Sequence, residues 1–163
     1  PPGPEARLTG IPDGGIVETR PAAGAVMQAI EARITARGGA ALIIDYGDWG
    51  ARGDTLQAVK EHAYTDPLAA PGEADLTAHV DFEALAKATP GLAHTGLTAQ
   101  GVFLERLGIT GRAQALAKGL SLAELETHVA AHRRLTHPEE MGSLFKAIGF
   151  HPKEAAAPPG LDP

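Results

Sequence analysis

The sequence predicts an α/β fold built on a doubly wound sheet, because it begins with a strand, a helix and a second strand in that order. The first strand is Gly15-Ile16-Val17-Glu18-Thr19. Pro21 then marks the first turn of a helix reaching about Arg37, in which Ala22, Val26, Ala29, Ile30 and Ile34 recur at helical spacing while Glu31, Arg33 and Arg37 can face water. Residues 40–47, AALIIDYG, are apolar on both pleat faces, the pattern of a parallel strand covered by helices on each side. A right-handed crossover joins such strands, and ligands of these sheets sit beyond the strands' carboxyl ends. Asp45 and Tyr46 are therefore expected beside any cleft.

The remaining elements follow from punctuation and period. Residues 1–14 are Pro/Gly-rich and read as a linker or an internal start, residues 15–150 as the folded portion, and residues 151–163 as a flexible tail. Gly38-Gly39 supplies the left-handed stop of the first helix. After Trp49 come turn signals at Gly50 to Gly53, Asp66-Pro67 and Ala70-Pro71-Gly72, so short irregular segments are expected there. Asp81 is an N-cap for a helix beginning DFEALAKAT, with Glu83 in its first turn. Further helices are expected over about 99–107 and 110–118, and Ser121-Leu122-Ala123-Glu124 is a capping box that opens another to about Leu135. Pro138 ends that run, and residues 141–150 read as a short helix turning into a strand.

Composition narrows the function. With 163 residues, 44% of them apolar, the chain can bury the core of one domain. A net charge of −6, with no basic run longer than Arg133-Arg134, argues against nucleic acid as a partner. No apolar stretch approaches the roughly 20 residues that span a bilayer, so no membrane partner is expected. The absence of cysteine removes disulfides, thiolate catalysis and thiolate zinc sites together. Neither a glycine-rich phosphate loop nor a G-x-S-x-G nucleophile elbow occurs.

Three groups of residues could carry chemistry. In GEADLTAHVDF, residues 72–82, an extended stretch would put Asp75, Thr77, His79 and Asp81 on one face, with Glu73 just before it. A His among carboxylates suits a general base, a substrate-facing polar surface or a hard cation. The plainer reading makes Asp75 a turn residue, His79 a polar face residue and Asp81 the cap of the next helix. His128 and His132 form an i, i+4 pair with His137 and Glu139 close behind, but Val129 stands where a zinc-protease motif needs Glu, so a solvated helix face is expected. The third group is Asp45-Tyr46-Gly47-Asp48 at the end of the buried strand, a candidate by topology, with a strand-to-loop turn as the plainer reading.

Taken in order, GGAALIIDYG, GDTLQAV, YTDPLAAPGEADLTAHVDF, TAQGVFLERLGI and RRLTHPEEMGSLFKAIGF resemble the C-terminal half of the MidA family. The resemblance spans roughly residues 15–150. It implies a Rossmann-like class I methyltransferase sheet with helical insertions, S-adenosylmethionine as cofactor and a protein substrate methylated on arginine; mitochondrial members of that family assist respiratory complex I assembly. It also implies that the sheet is incomplete here, because the family's glycine-rich cofactor loop, its acidic ribose-binding residue and its Asn-Glu-Phe-Phe-Asp-Ala motif have no match in this chain. The family typically has Ser before the Pro of residues 14–23, where this chain has Arg20, so a contact made by that serine is not expected to carry over.

A parallel sheet begun at its middle leaves AALIIDYG with an unpaired apolar edge. Residues 1–163 are therefore expected to belong to a longer chain, with its own N-terminal half as a partner, no cofactor-binding residues of its own, and no activity by itself. A homodimer is a further expected assembly. The residues expected on the substrate side are Asp45, Tyr46, Asp75, His79 and Asp81, with no metal. The alternatives are a partner-binding module or pseudoenzyme that retains the scaffold, and a metal-dependent hydrolase using the His/Asp face. The setting expected is a bacterial cytoplasm, or mitochondria in a eukaryote.

Overall fold

The computed structural model describes residues 8–50 and 52–162. Helix α1 runs Pro21–Arg37, with Pro21 in the first turn and Gly38 closing it at φ 70°, its N–H donating to the Ile34 carbonyl. Strand β1 is Ala41–Asp48. Then come β2 (Gln57–Lys60), β3 (Ala63–Thr65), β4 (Asp75–Thr77) and β5 (Val80–Asp81), followed by α2 (Phe82–Lys87), β6 (Ala93–His94) and β7 (Thr98–Ala99). Helices α3 (Gln100–Arg106), α4 (Ile109–Ala117) and α5 (Leu122–Thr136) lead through a wide turn at Pro138–Gly142 into β8 (Phe145–His151).

The main sheet has the order β5-β1-β8-β6, with β7 also pairing with β8. Strand β8 runs antiparallel to β1, from Ala41 opposite Phe150 to Tyr46 opposite Phe145. The short β5 is parallel to β1 but meets it only at Gly47 and Asp48. A second, three-stranded antiparallel sheet has the order β3-β2-β4.

One face of the main sheet is sealed. Met27, Ile30 and Ile34 of α1, with Phe82 and Ala86 of α2 and Leu92, pack on Ala41, Ile43, Ile148 and Phe150. The other face is sealed only over β8, where Phe103, Leu161 and Leu104 cover Ala147. Residues 152–162, expected as a flexible tail, lie across this side: Leu161 is buried, the Asp162 carboxylate pairs with Arg106 at 2.7 Å, and the Gly96 N–H donates to the Asp162 carbonyl.

Two expectations need correction. Residues 15–19 form no strand: the Ile16 carbonyl takes one bond, from the Gly53 N–H at 3.1 Å, and no ladder develops beside it. One backbone bond cannot hold a strand, so the strand-helix-strand start reduces to a helix and a strand. Nor is β1 covered on both faces. Leu42 and Ile44 are 48% and 40% exposed, and along 41–46 β1 has β8 on one side and, among the described residues, no strand on the other. The fold class itself, mixed α/β, stands.

Candidate functional site

The carboxyl end of β1 gathers the polar and aromatic residues. Asp45 and Asp48 each turn one carboxylate oxygen onto the next backbone N–H, of Tyr46 and Trp49, at 2.8 Å. The Tyr46 ring stands edge-on to both His79 and Phe145, with centroids 5.7 Å and 5.4 Å away. Trp49, next along, lies 5.4 Å from the ring of His94, which in turn neighbours Phe150. Gly47 passes so close to the Val80 backbone that a Cβ would collide with it, which is why β1 and β5 approach there.

His79 is fixed from behind. Its backbone N–H donates to the Thr55 hydroxyl at 2.9 Å. Thr55 in turn donates its own N–H, at 2.9 Å, and its hydroxyl to the two oxygens of the Glu18 carboxylate. Burial pushes the Glu18 carboxyl upward, but the Thr55 hydroxyl, the N–H groups of Thr55 and Leu56 and the charge of Arg20 outweigh it and hold the group below its usual value. Segments around residues 18, 55 and 79 are thus tied together at one end of β1.

The expected face of GEADLTAHVDF divides. Asp75 belongs to β4, opposite Val59 in the smaller sheet, whereas Asp81 belongs to β5 and pairs in register with Asp48 in the main one. The chain changes sheet between Thr77 and Val80, so the period of two does not run through. Asp81 caps α2, accepting the Ala84 N–H at 3.1 Å. Glu73 pairs with Lys60 at 2.6 Å on the exposed hairpin. Of the five residues expected on the substrate side, Tyr46 and His79 are brought into contact, while Asp45 meets only the Tyr46 backbone N–H; Asp75 lies in the other sheet and Asp81 is engaged as a cap.

Among the described residues no group of three or more His, Asp or Glu converges as metal ligands. The His128 and His132 pair, expected to face water, meets α4 instead. Their Nε2 atoms lie 3.0 Å from the Ala113 carbonyl and from the Thr110 hydroxyl. Since the Thr110 hydroxyl donates its one proton to Glu105 at 2.7 Å, His132 Nε2 is the donor to it, and the i, i+4 spacing serves helix packing.

Glu18 and Thr55 were not singled out by sequence reasoning. Residue type alone does not mark them, although GDTLQAV, which contains Thr55, was one of the segments bearing the family resemblance.

Over 140 residues the chain is 39% identical to protein arginine methyltransferase NDUFAF7 of Rattus norvegicus, covering 85% of this chain and 32% of that protein. It is 40% identical over 128 residues to the Drosophila melanogaster homologue, covering 77% of this chain and 29% of that one. Both relatives are mitochondrial, and this chain spans about a third of their length. A crystal structure of a COG1565 superfamily member from Burkholderia thailandensis, bound to S-adenosyl-homocysteine, superposes with a TM-score of 0.78 at 34% identity over 93% of this chain and 42% of that chain. Residues 4–102 match the family described as "Putative S-adenosyl-L-methionine-dependent methyltransferase", and with those identities the chain belongs to that methyltransferase family.

Proposed function

We propose that residues 1–163 are the C-terminal part of an S-adenosylmethionine-dependent methyltransferase that methylates arginine on a protein. The observation that carries this is the identity of 39% to a protein arginine methyltransferase across 85% of the chain. The geometry supports it: β1 has an open edge along 41–46 and an apolar face at Leu42 and Ile44, which suits a further strand and helix from the rest of such an enzyme. The solved relative has more than half of its length outside the match, ample to supply both. We infer that the chain's own N-terminal half is the partner on that edge.

Among the described residues no glycine-rich turn joins a strand to a helix. The cofactor cradle is assigned to the missing half; S-adenosylmethionine, when bound there, supplies an electrophilic methyl group. What this chain contributes is the substrate side. A guanidinium is cationic and a poor nucleophile, so it needs a carboxylate to orient it and aromatic faces to hold it while a proton leaves. Tyr46 and His79, in contact at the carboxyl end of β1, and Asp45, next to Tyr46 in the chain, supply groups of that kind. Asp75 and Asp81 remain outside that contact.

The setting follows the relatives. We infer mitochondria for a eukaryotic source, as in the named relatives, and the cytoplasm for a bacterial one. The test is transfer: full-length protein, S-adenosylmethionine and an arginine-bearing protein acceptor, read by mass spectrometry. Methylated arginine is expected, and its absence across acceptors that bind the protein would overturn the reading.

A further inference from the structure

We propose that Glu18 is a positioning residue for the Tyr46 and His79 pair, acting through Thr55. This rests on the methyltransferase reading for its functional meaning but on geometry for its existence. The Glu18 carboxylate takes both protons that Thr55 offers, from the backbone N–H and the hydroxyl. With its proton given to Glu18, the hydroxyl oxygen is left as an acceptor, and the His79 N–H occupies it at 2.9 Å. The order of donors is thus fixed: His79 to Thr55, Thr55 to Glu18. Charge at Glu18 polarises the hydroxyl and strengthens both links.

The three residues come from separate parts of the chain, 37 positions apart between Glu18 and Thr55 and 24 between Thr55 and His79. None of the three segments is held there by a helix. Residues 15–20 and 53–55 are irregular, and His79 sits in the gap between β4 and β5 where the chain changes sheets. Without the Thr55 hydroxyl the His79 backbone loses this anchor, and its ring is free to leave the edge of Tyr46. Phe145, the second ring against Tyr46, is held in register on the neighbouring strand, so His79 is the adjustable wall of the contact. Held below its usual value, the Glu18 carboxyl stays ionised at neutral pH, as this arrangement needs.

The experiment compares Thr55→Val, Thr55→Ser and Glu18→Gln in the full-length protein. Valine removes the hydroxyl at nearly constant shape and keeps the backbone N–H bond to Glu18; serine restores the hydroxyl. Imidazole nitrogen-proton NMR spectra of histidine-labelled protein, with His79 assigned through His79→Gln, report the ring contact directly, and His94, packed on Trp49 and Phe150, is the internal control. We expect the His79 signals to move in Thr55→Val and Glu18→Gln, to return in Thr55→Ser, and the His94 signals to stay. Unmoved His79 signals in Thr55→Val would overturn the proposal. Methyl transfer by the same variants is expected to fall about tenfold in kcat for Thr55→Val, with recovery in Thr55→Ser and cofactor affinity unchanged. Displaced His79 signals with undiminished transfer would overturn the positioning role. If the wild-type protein transfers no methyl group to any acceptor, the methyltransferase reading fails, while the NMR comparison still decides whether Glu18 sets the ring pair.

Discussion

At the scale of single residues, Glu18 has the clearest consequence for pH. Its carboxyl is held below its ordinary value of 4.5, so folding favours the ionised form. The stability it adds is present above the ordinary value and is lost as pH falls through the lowered folded value. The melting temperature of Glu18→Gln should therefore lie below that of the wild type by a constant margin between about pH 6 and 8, and the margin should shrink as pH falls below the ordinary value of the group. A margin that persists undiminished in acid would assign the effect to shape instead of charge. Asp81 offers a second check. It caps α2 through the Ala84 N–H, and Asp81→Ala should cost about 1 kcal/mol in denaturant unfolding. A loss of methyl transfer without loss of stability in that variant would instead place Asp81 among the substrate contacts. This cap was legible in the sequence, because an acid before a short apolar helix has a local job that needs no knowledge of the rest of the fold. The Glu18 to Thr55 to His79 chain was not legible, because its partners lie 24 and 37 residues apart and only tertiary structure brings them together.

Among elements, the helices were read well and the strands poorly, for one physical reason. A helix closes its own hydrogen bonds, so Pro21, Gly38 and the Ser121 to Glu124 box announce its ends. A strand exists only if another strand lies beside it. Residues 15–19 have the composition of a strand but, among the described residues, no strand beside them, and GEADLTAHVDF has the alternation of one strand but serves two sheets. The wide turn before β8 shows how tightly the elements are fitted. Gly101 of α3 and Gly142 of the turn both lie against the Thr136 carbonyl at the end of α5, where a Cβ on either would collide with that backbone oxygen. Gly101→Ala should cost roughly 1–3 kcal/mol by thermal or chemical unfolding, whereas alanine at Gly111, which faces open space, should cost nothing measurable or stabilise α4. Equal effects at the two positions would contradict the packing described.

For the whole molecule, the sheet is finished on one side and unfinished on the other. Strand β8 closes one flank of β1, and along 41–46 the other flank has, among the described residues, no strand beside it, next to the exposed Leu42 and Ile44. The apolar run at 40–47 led to an expectation of cover on both faces, and these residues supply it on one only. This predicts a contrast between two preparations. Leu42→Ala should cost under about 1 kcal/mol in the 163-residue chain, where the side chain is half exposed, and about 2–5 kcal/mol in the full-length protein, where it is buried. Equal costs would mean that nothing covers that face. This chain is proposed as one part of a cofactor-binding enzyme. Calorimetric titration with S-adenosylmethionine tests that most directly: saturable one-to-one binding is expected for the full-length protein and none for the 163-residue chain, whereas silence from the full-length protein, or equal binding by both, would contradict it.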